Sequence, residues 1–60
     1  MLEGKDYKKL IEEGGLRQSW IAKKIGVTPA MFSFFLNGKR RMRQEYITKL
    51  NKVLKERGVI

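Results

Sequence analysis

The sequence predicts an all-α fold, one compact domain over residues 1–60 built from four short helices. Two observations carry this. Apolar residues recur at three- and four-residue intervals in four separate runs, the spacing of a stripe along a helix, and no stretch alternates with period two for the length of a strand. Each run is also bounded by a capping residue or a glycine, the punctuation of helix ends. Size agrees: a chain of 60 residues hides only about 60% of the surface it exposes unfolded, which leaves one thin core.

The first stripe is Tyr7, Leu10 and Ile11, with Asp6 expected to cap its start and Gly14-Gly15 to end it, giving a helix over 6–13. Ile21, Ala22 and Ile25 mark a second helix over 18–25, closed by Gly26. Thr28-Pro29 opens the third, over 29–36: threonine suits the N-cap, and proline suits the first helical position, where its missing N–H has no intrahelical partner anyway. Met31, Phe32, Phe35 and Leu36 form one face of that helix, and Asn37-Gly38 stops it. After a basic loop, Lys39 to Arg43, the clearest amphipathic helix carries Tyr46, Ile47, Leu50, Val53 and Leu54 over 44–56, ending at Arg57-Gly58.

Composition removes whole classes of function. With no cysteine and no histidine, disulfide staples, the usual zinc sites and a Cys or His nucleophile or base are excluded. The acidic residues read as surface singles and the pair Glu12-Glu13, and the glycines read as turn or end residues rather than a phosphate-cradling loop. The expectation is no enzyme, no metal and no cofactor. No apolar run approaches the ~20 residues that cross a bilayer, and no signal-peptide pattern is read.

The charge is uneven. The net +8 arises from 14 Lys+Arg against 6 Asp+Glu, and residues 17–43 hold Arg17, Lys23, Lys24, Lys39, Arg40, Arg41 and Arg43 without a single acid. Solvated surfaces mix the two signs, so this run is the anion-facing side of the molecule.

The second and third helices are joined only by Gly26-Val27-Thr28. So short a link favours a steep crossing, with Gly26 supplying the unusual backbone angle, Val27 plugging the angle and Ala22 allowing close approach. An ordinary helical corner and a DNA-binding helix–turn–helix (18–37) both satisfy this spacing, and the acid-free charge around the corner favours the second. The run from Gln18-Ser19-Trp20-Ile21-Ala22-Lys23-Lys24-Ile25-Gly26-Val27-Thr28 through Phe32, Phe35 and Leu36 to Asn37-Gly38-Lys39-Arg40 resembles the lambda-repressor/Cro-like (XRE-type) helix-turn-helix family, over about residues 5–55. The resemblance implies a lambda-repressor-like domain that binds double-stranded DNA as a small transcriptional regulator of phage or mobile-element type. Helix 29–36 would then lie in the major groove.

Opposite the Phe32/Phe35/Leu36 face lie Ala30, Ser33, Phe34 and Asn37, and with Thr28 these are the expected base-reading residues. The stripe lacks Arg, Lys and Gln, so readout is expected to be weak or to rest on thymine-methyl contacts and DNA shape. Phe34 admits three readings: contact with the groove, packing on a neighbour or second subunit, or a merely exposed ring. Trp20 reads as core edge or subunit interface. The N–H groups opening the second helix suit a phosphate. The resemblance implies that Gln18 touches it, with Arg17 just outside, while Lys39, Arg40, Arg41 and Arg43 stand where a second phosphate run passes. Lys49, Lys52 and Lys55 read as solvent-facing. Family members commonly bind as two-fold dimers, and helix 44–56 with the tail through Val59-Ile60 is the expected homodimer surface. A cytoplasmic, nucleoid-associated location follows from the same resemblance. The alternative is an inhibitor- or antitoxin-like module of the same fold whose main partner is another protein.

Overall fold

The computed structural model describes residues 2–60. In chain order it consists of α1 (Gly4–Glu13), α2 (Gln18–Ile25), α3 (Pro29–Leu36) and α4 (Gln44–Glu56), with no strand among the described residues. Three of the four helices keep the bounds expected from the sequence. The exception is α1, which starts two residues earlier.

The cause of the earlier start is a close approach. Gly4 opens α1 and is buried, and a Cβ built there would collide with the carbonyl oxygen of Phe35 in α3. Only a residue without a side chain lets the two helices meet, so Gly4 is a packing residue rather than the turn residue expected. Asp6 is therefore not the N-cap. It sits at the third helical position and its carboxylate accepts a 2.7 Å hydrogen bond from the backbone N–H of Glu3, which holds the N-cap position.

The turn between α2 and α3 follows the expected chemistry. Gly26 adopts φ +87°, the left-handed conformation in which a Cβ would be strained, and the N–H groups of Gly26 and Val27 both donate to the carbonyl of Ala22 at 3.0 Å. The carbonyls at the end of α2 are thus partly satisfied, and the chain reverses within three residues. Val27 is half-buried and packs against the core, as its plugging role requires.

α3 packs on both α1 and α2, and α4 packs on α2. The core they enclose comprises Tyr7 and Ile11 of α1, Ile21, Ala22 and Ile25 of α2, Phe32, Phe35 and Leu36 of α3, and Leu50 and Leu54 of α4. Burying one large aliphatic or aromatic side chain gains roughly 1.5–3 kcal/mol, so this set is the main favourable term in a domain with no covalent staple. Phe35 links its neighbours, with ring centroids 5.9 Å from Tyr7 and 6.4 Å from Phe32. The Tyr7 hydroxyl donates a 2.6 Å hydrogen bond to Asn51 Oδ1, which satisfies the polar tip of a buried ring and ties α1 to α4. Met42 is a core residue with no periodic signal in the sequence; it is buried from within the basic loop. Met31, expected on the buried face of α3, is only half-buried at its edge.

Gly4→Ala is expected to lower stability by about 1–3 kcal/mol, because backbone must shift to admit the methyl group. Urea unfolding measures it, and an unchanged midpoint would show that α1 does not rest on the Phe35 carbonyl.

Candidate nucleic-acid interface

The position of α3 is set from both ends. At its start the Thr28 side-chain oxygen accepts a 3.1 Å hydrogen bond from the Met31 N–H, with Pro29 in the first turn. At its end the Lys39 N–H donates to the carbonyl of Phe34 at 2.8 Å, across Asn37 and Gly38. Phe32, Phe35 and Leu36 turn into the core. The opposite stripe therefore faces outward: Thr28, Ala30, Phe34 and Asn37 are exposed and Ser33 is half-buried. These are the residues the sequence places there.

Two of them differ from the simple expectation. Phe34 is 44% exposed, so no neighbour within the chain covers it. Asn37 is partly engaged: its Nδ2 donates to the Ser33 carbonyl at 2.8 Å and lies 3.4 Å from Ser33 Oγ, while its Oδ1 accepts from Lys8 Nζ at 2.9 Å. One Nδ2 hydrogen and one Oδ1 lone pair remain for an outside partner. Lys8 of α1 is thus brought to the C-terminal end of α3, a link of 29 residues in sequence that no local pattern signals.

The cations expected to meet phosphate fall into two groups. Arg17 is the N-cap of α2, its side chain makes no capping hydrogen bond, and the first turn of α2 holds no acid. Arg17 is exposed and Gln18 half-buried. The second group is Lys39, Arg40, Arg41 and Arg43, all exposed. The buried Met42 fixes the loop backbone to the core between two exposed arginines. Arg43 is itself the N-cap of α4, again without a side-chain capping bond.

This arrangement has an electrostatic consequence. The N-terminus of a helix carries a partial positive charge, which an anion complements and an arginine does not. α1 and α3 have side-chain acceptors at their starts, whereas α2 and α4 begin on arginines. At both places the opening N–H groups lack a side-chain cap, but only α2 has no acid in its first turn, whereas α4 carries Glu45 there. The α2 start is the phosphate site expected from the sequence, and the α4 start is not among the expectations because the end of the basic loop and the start of α4 share Arg43.

Trp20, on α2, is half-buried beside the core, with the Arg57 guanidinium 4.5 Å and the Lys24 ammonium 5.6 Å from its ring centroid. Lys49, Lys52 and Lys55 are exposed, as expected. No described helix is long and apolar enough to cross a membrane. Comparison of the chain with protein-family models, with curated proteins and with solved structures gives no significant match.

Thr28→Ala is expected to cost about 1 kcal/mol by removing the cap that starts α3, and Thr28→Ser to restore most of it. Equal urea midpoints for the two variants would contradict the capping role.

Proposed function

We propose that the chain is a sequence-reading, double-stranded-DNA-binding domain of the lambda-repressor/Cro-like kind, acting as a small transcriptional regulator of phage or mobile-element type, with α3 as its major-groove helix. One observation carries this reading: the acid-free run of cations from Arg17 to Arg43 brackets a three-residue turn and an outward helix stripe. In the mechanism proposed, phosphates meet Arg17, Gln18 and the α2 N-terminus on one side, and Lys39, Arg40, Arg41 and Arg43 with the α4 N-terminus on the other. Such contacts fix register and orientation but carry no base information.

Base reading falls to Thr28, Ala30, Ser33, Phe34 and Asn37. The stripe has no long bidentate side chain, and Asn37 retains only part of its hydrogen-bonding capacity. Apolar contact of Ala30 and Phe34 with thymine methyl groups is then the main direct readout, with duplex shape as the other contribution.

A homodimer on two half-sites belongs to the same proposal. The largest extent of the chain is 25 Å, less than the roughly 34 Å between half-sites one helical turn apart, so one copy reads one half-site. The apolar material at the expected surface is Ile60, 47% exposed, and half-buried Val59. The outward side of α4 carries Lys49, Lys52 and Lys55, which disfavours pairing along its length, so the tail is the contact in this proposal. A nucleoid-associated location accompanies this reading. A second reading, binding to another protein, draws on the exposed Phe34 ring.

A salt series on duplex DNA separates the two. Contact with six to eight phosphates gives log K falling with log salt at a slope of roughly −5 to −7, and the pair Arg40→Ala and Arg41→Ala makes the slope shallower by about 2. Affinity that barely responds to salt supports the protein partner instead. In a preferred duplex, replacing contacted thymines by deoxyuridine should weaken binding about three- to fourfold per methyl group lost. Phe34→Ala should abolish that difference, and a variant that keeps it in full would remove Phe34 from the readout.

A further inference from the structure

Beside the surface assigned to the duplex, and sharing only Arg17 with its proposed phosphate contacts, the molecule has one other concentrated feature, centred on Trp20. Three adjoining depressions share this residue. The largest lies between the α1–α2 loop and α2, where Leu16 and Arg17 flank it, and it reaches Lys23 and Arg57. A second crosses from Trp20 and Lys24 to Val53, Glu56 and Arg57 at the C-terminal end of α4. The helical spacing explains the grouping on α2: Lys23 and Lys24 follow Trp20 by three and four residues and so share its face.

The chemistry of this groove is specific in two respects. Its charged lining is Arg17, Lys23, Lys24 and Arg57 against a single acid, Glu56. Its floor is apolar: Leu16, Trp20 and Val53 are half-buried hydrophobic residues packed on the core and still accessible from outside. The face of the indole is occupied by the Arg57 guanidinium at 4.5 Å and approached by Lys24 at 5.6 Å. A nucleic-acid base stacking on that ring would have to displace a cation already held there. A carboxylate has no such conflict, because it pairs with the guanidinium and ammonium where they stand.

We propose that the Trp20 groove is a docking surface for an acidic peptide segment of a partner protein, one that places an apolar side chain on Leu16 beside the indole and carboxylates against Lys23, Lys24 and Arg57. Charge complementarity selects this occupant. A second copy of the chain is disfavoured because it would bring the same cations face to face. Apart from Arg17 at its rim, this surface uses none of the residues given to the duplex, and either proposal can fail alone.

The chain contains one tryptophan, so its emission reports on the groove directly. The probe is a synthetic twelve-residue peptide of alternating glutamate and leucine, titrated into the full chain at physiological salt. The expected result is a saturable change in Trp20 emission. Lys24→Ala with Arg57→Ala should weaken binding about tenfold, whereas the charge-matched pair Lys49→Ala with Lys52→Ala should leave it nearly unchanged. Replacing the leucines of the peptide by serine should weaken it as well. Three results would overturn the proposal: no saturable change in emission, equal losses from the two pairs of lysine and arginine variants, or a larger effect of Lys24→Ala with Arg57→Ala on duplex binding than on peptide binding. Because Lys24 and Arg57 are exposed, these variants retain the core and fold.

Discussion

The architecture depends on one constraint: α3 must present one face to the core and the other to the outside at a fixed angle to α2. Gly26 makes this possible, since its left-handed backbone turns the chain within three residues while Val27 seals the inside of the bend. Phe32, Phe35 and Leu36 then commit the inner face, and Ala30, Phe34 and Asn37 are exposed as a consequence rather than by separate design. Gly4 extends the same constraint to α1, whose first turn rests directly on the Phe35 carbonyl. A rod held by α1, α2 and its own cap is a rigid element, the kind of support that a positioned contact surface needs.

Several local choices run against stability taken alone. Arginine stands at the N-caps of α2 and α4, where an acid or a hydroxyl would complement the helix dipole better. Residues 17–43 gather seven cations without a counter-charge, and Phe34 keeps a large apolar ring in water. Departures of this kind concentrate at functional surfaces, where a partner supplies what the free molecule lacks. In the duplex proposal a polyanion would offset the first two, and an apolar group such as a thymine methyl the third. The groove at Trp20 has the same character: its cations cover the indole and leave an apolar floor open beside them.

Much of this was legible in the sequence because the signals are local. The four stripes, the Thr28 cap and the Gly26 turn each act within a few residues of their cause, and the boundaries of α2, α3 and α4 follow from them. What was not legible depends on partners distant in the chain. Gly4 read as a turn residue because glycine leaves no mark in a hydrophobic pattern, and its role appears only when α3 lies across it. Met42 read as part of a basic loop because one apolar residue among cations has no period, yet it anchors that loop. Asn37 was legible as exposed but not as engaged by Lys8, and the cluster of Arg57 over Trp20 requires the packing of α4 on α2. Base-reading roles were read from helix phase, which the structure keeps, and from resemblance, which geometry alone does not replace.

The most direct test of the central claim is to map backbone amide shifts by NMR while a mixed-sequence duplex is added at low salt. Duplex binding through α3 should perturb 17–19, 28–34 and 39–44 and leave the Val53–Arg57 end of α4 unmoved. Perturbations confined to Trp20, Lys24 and the end of α4, with α3 silent, would contradict it.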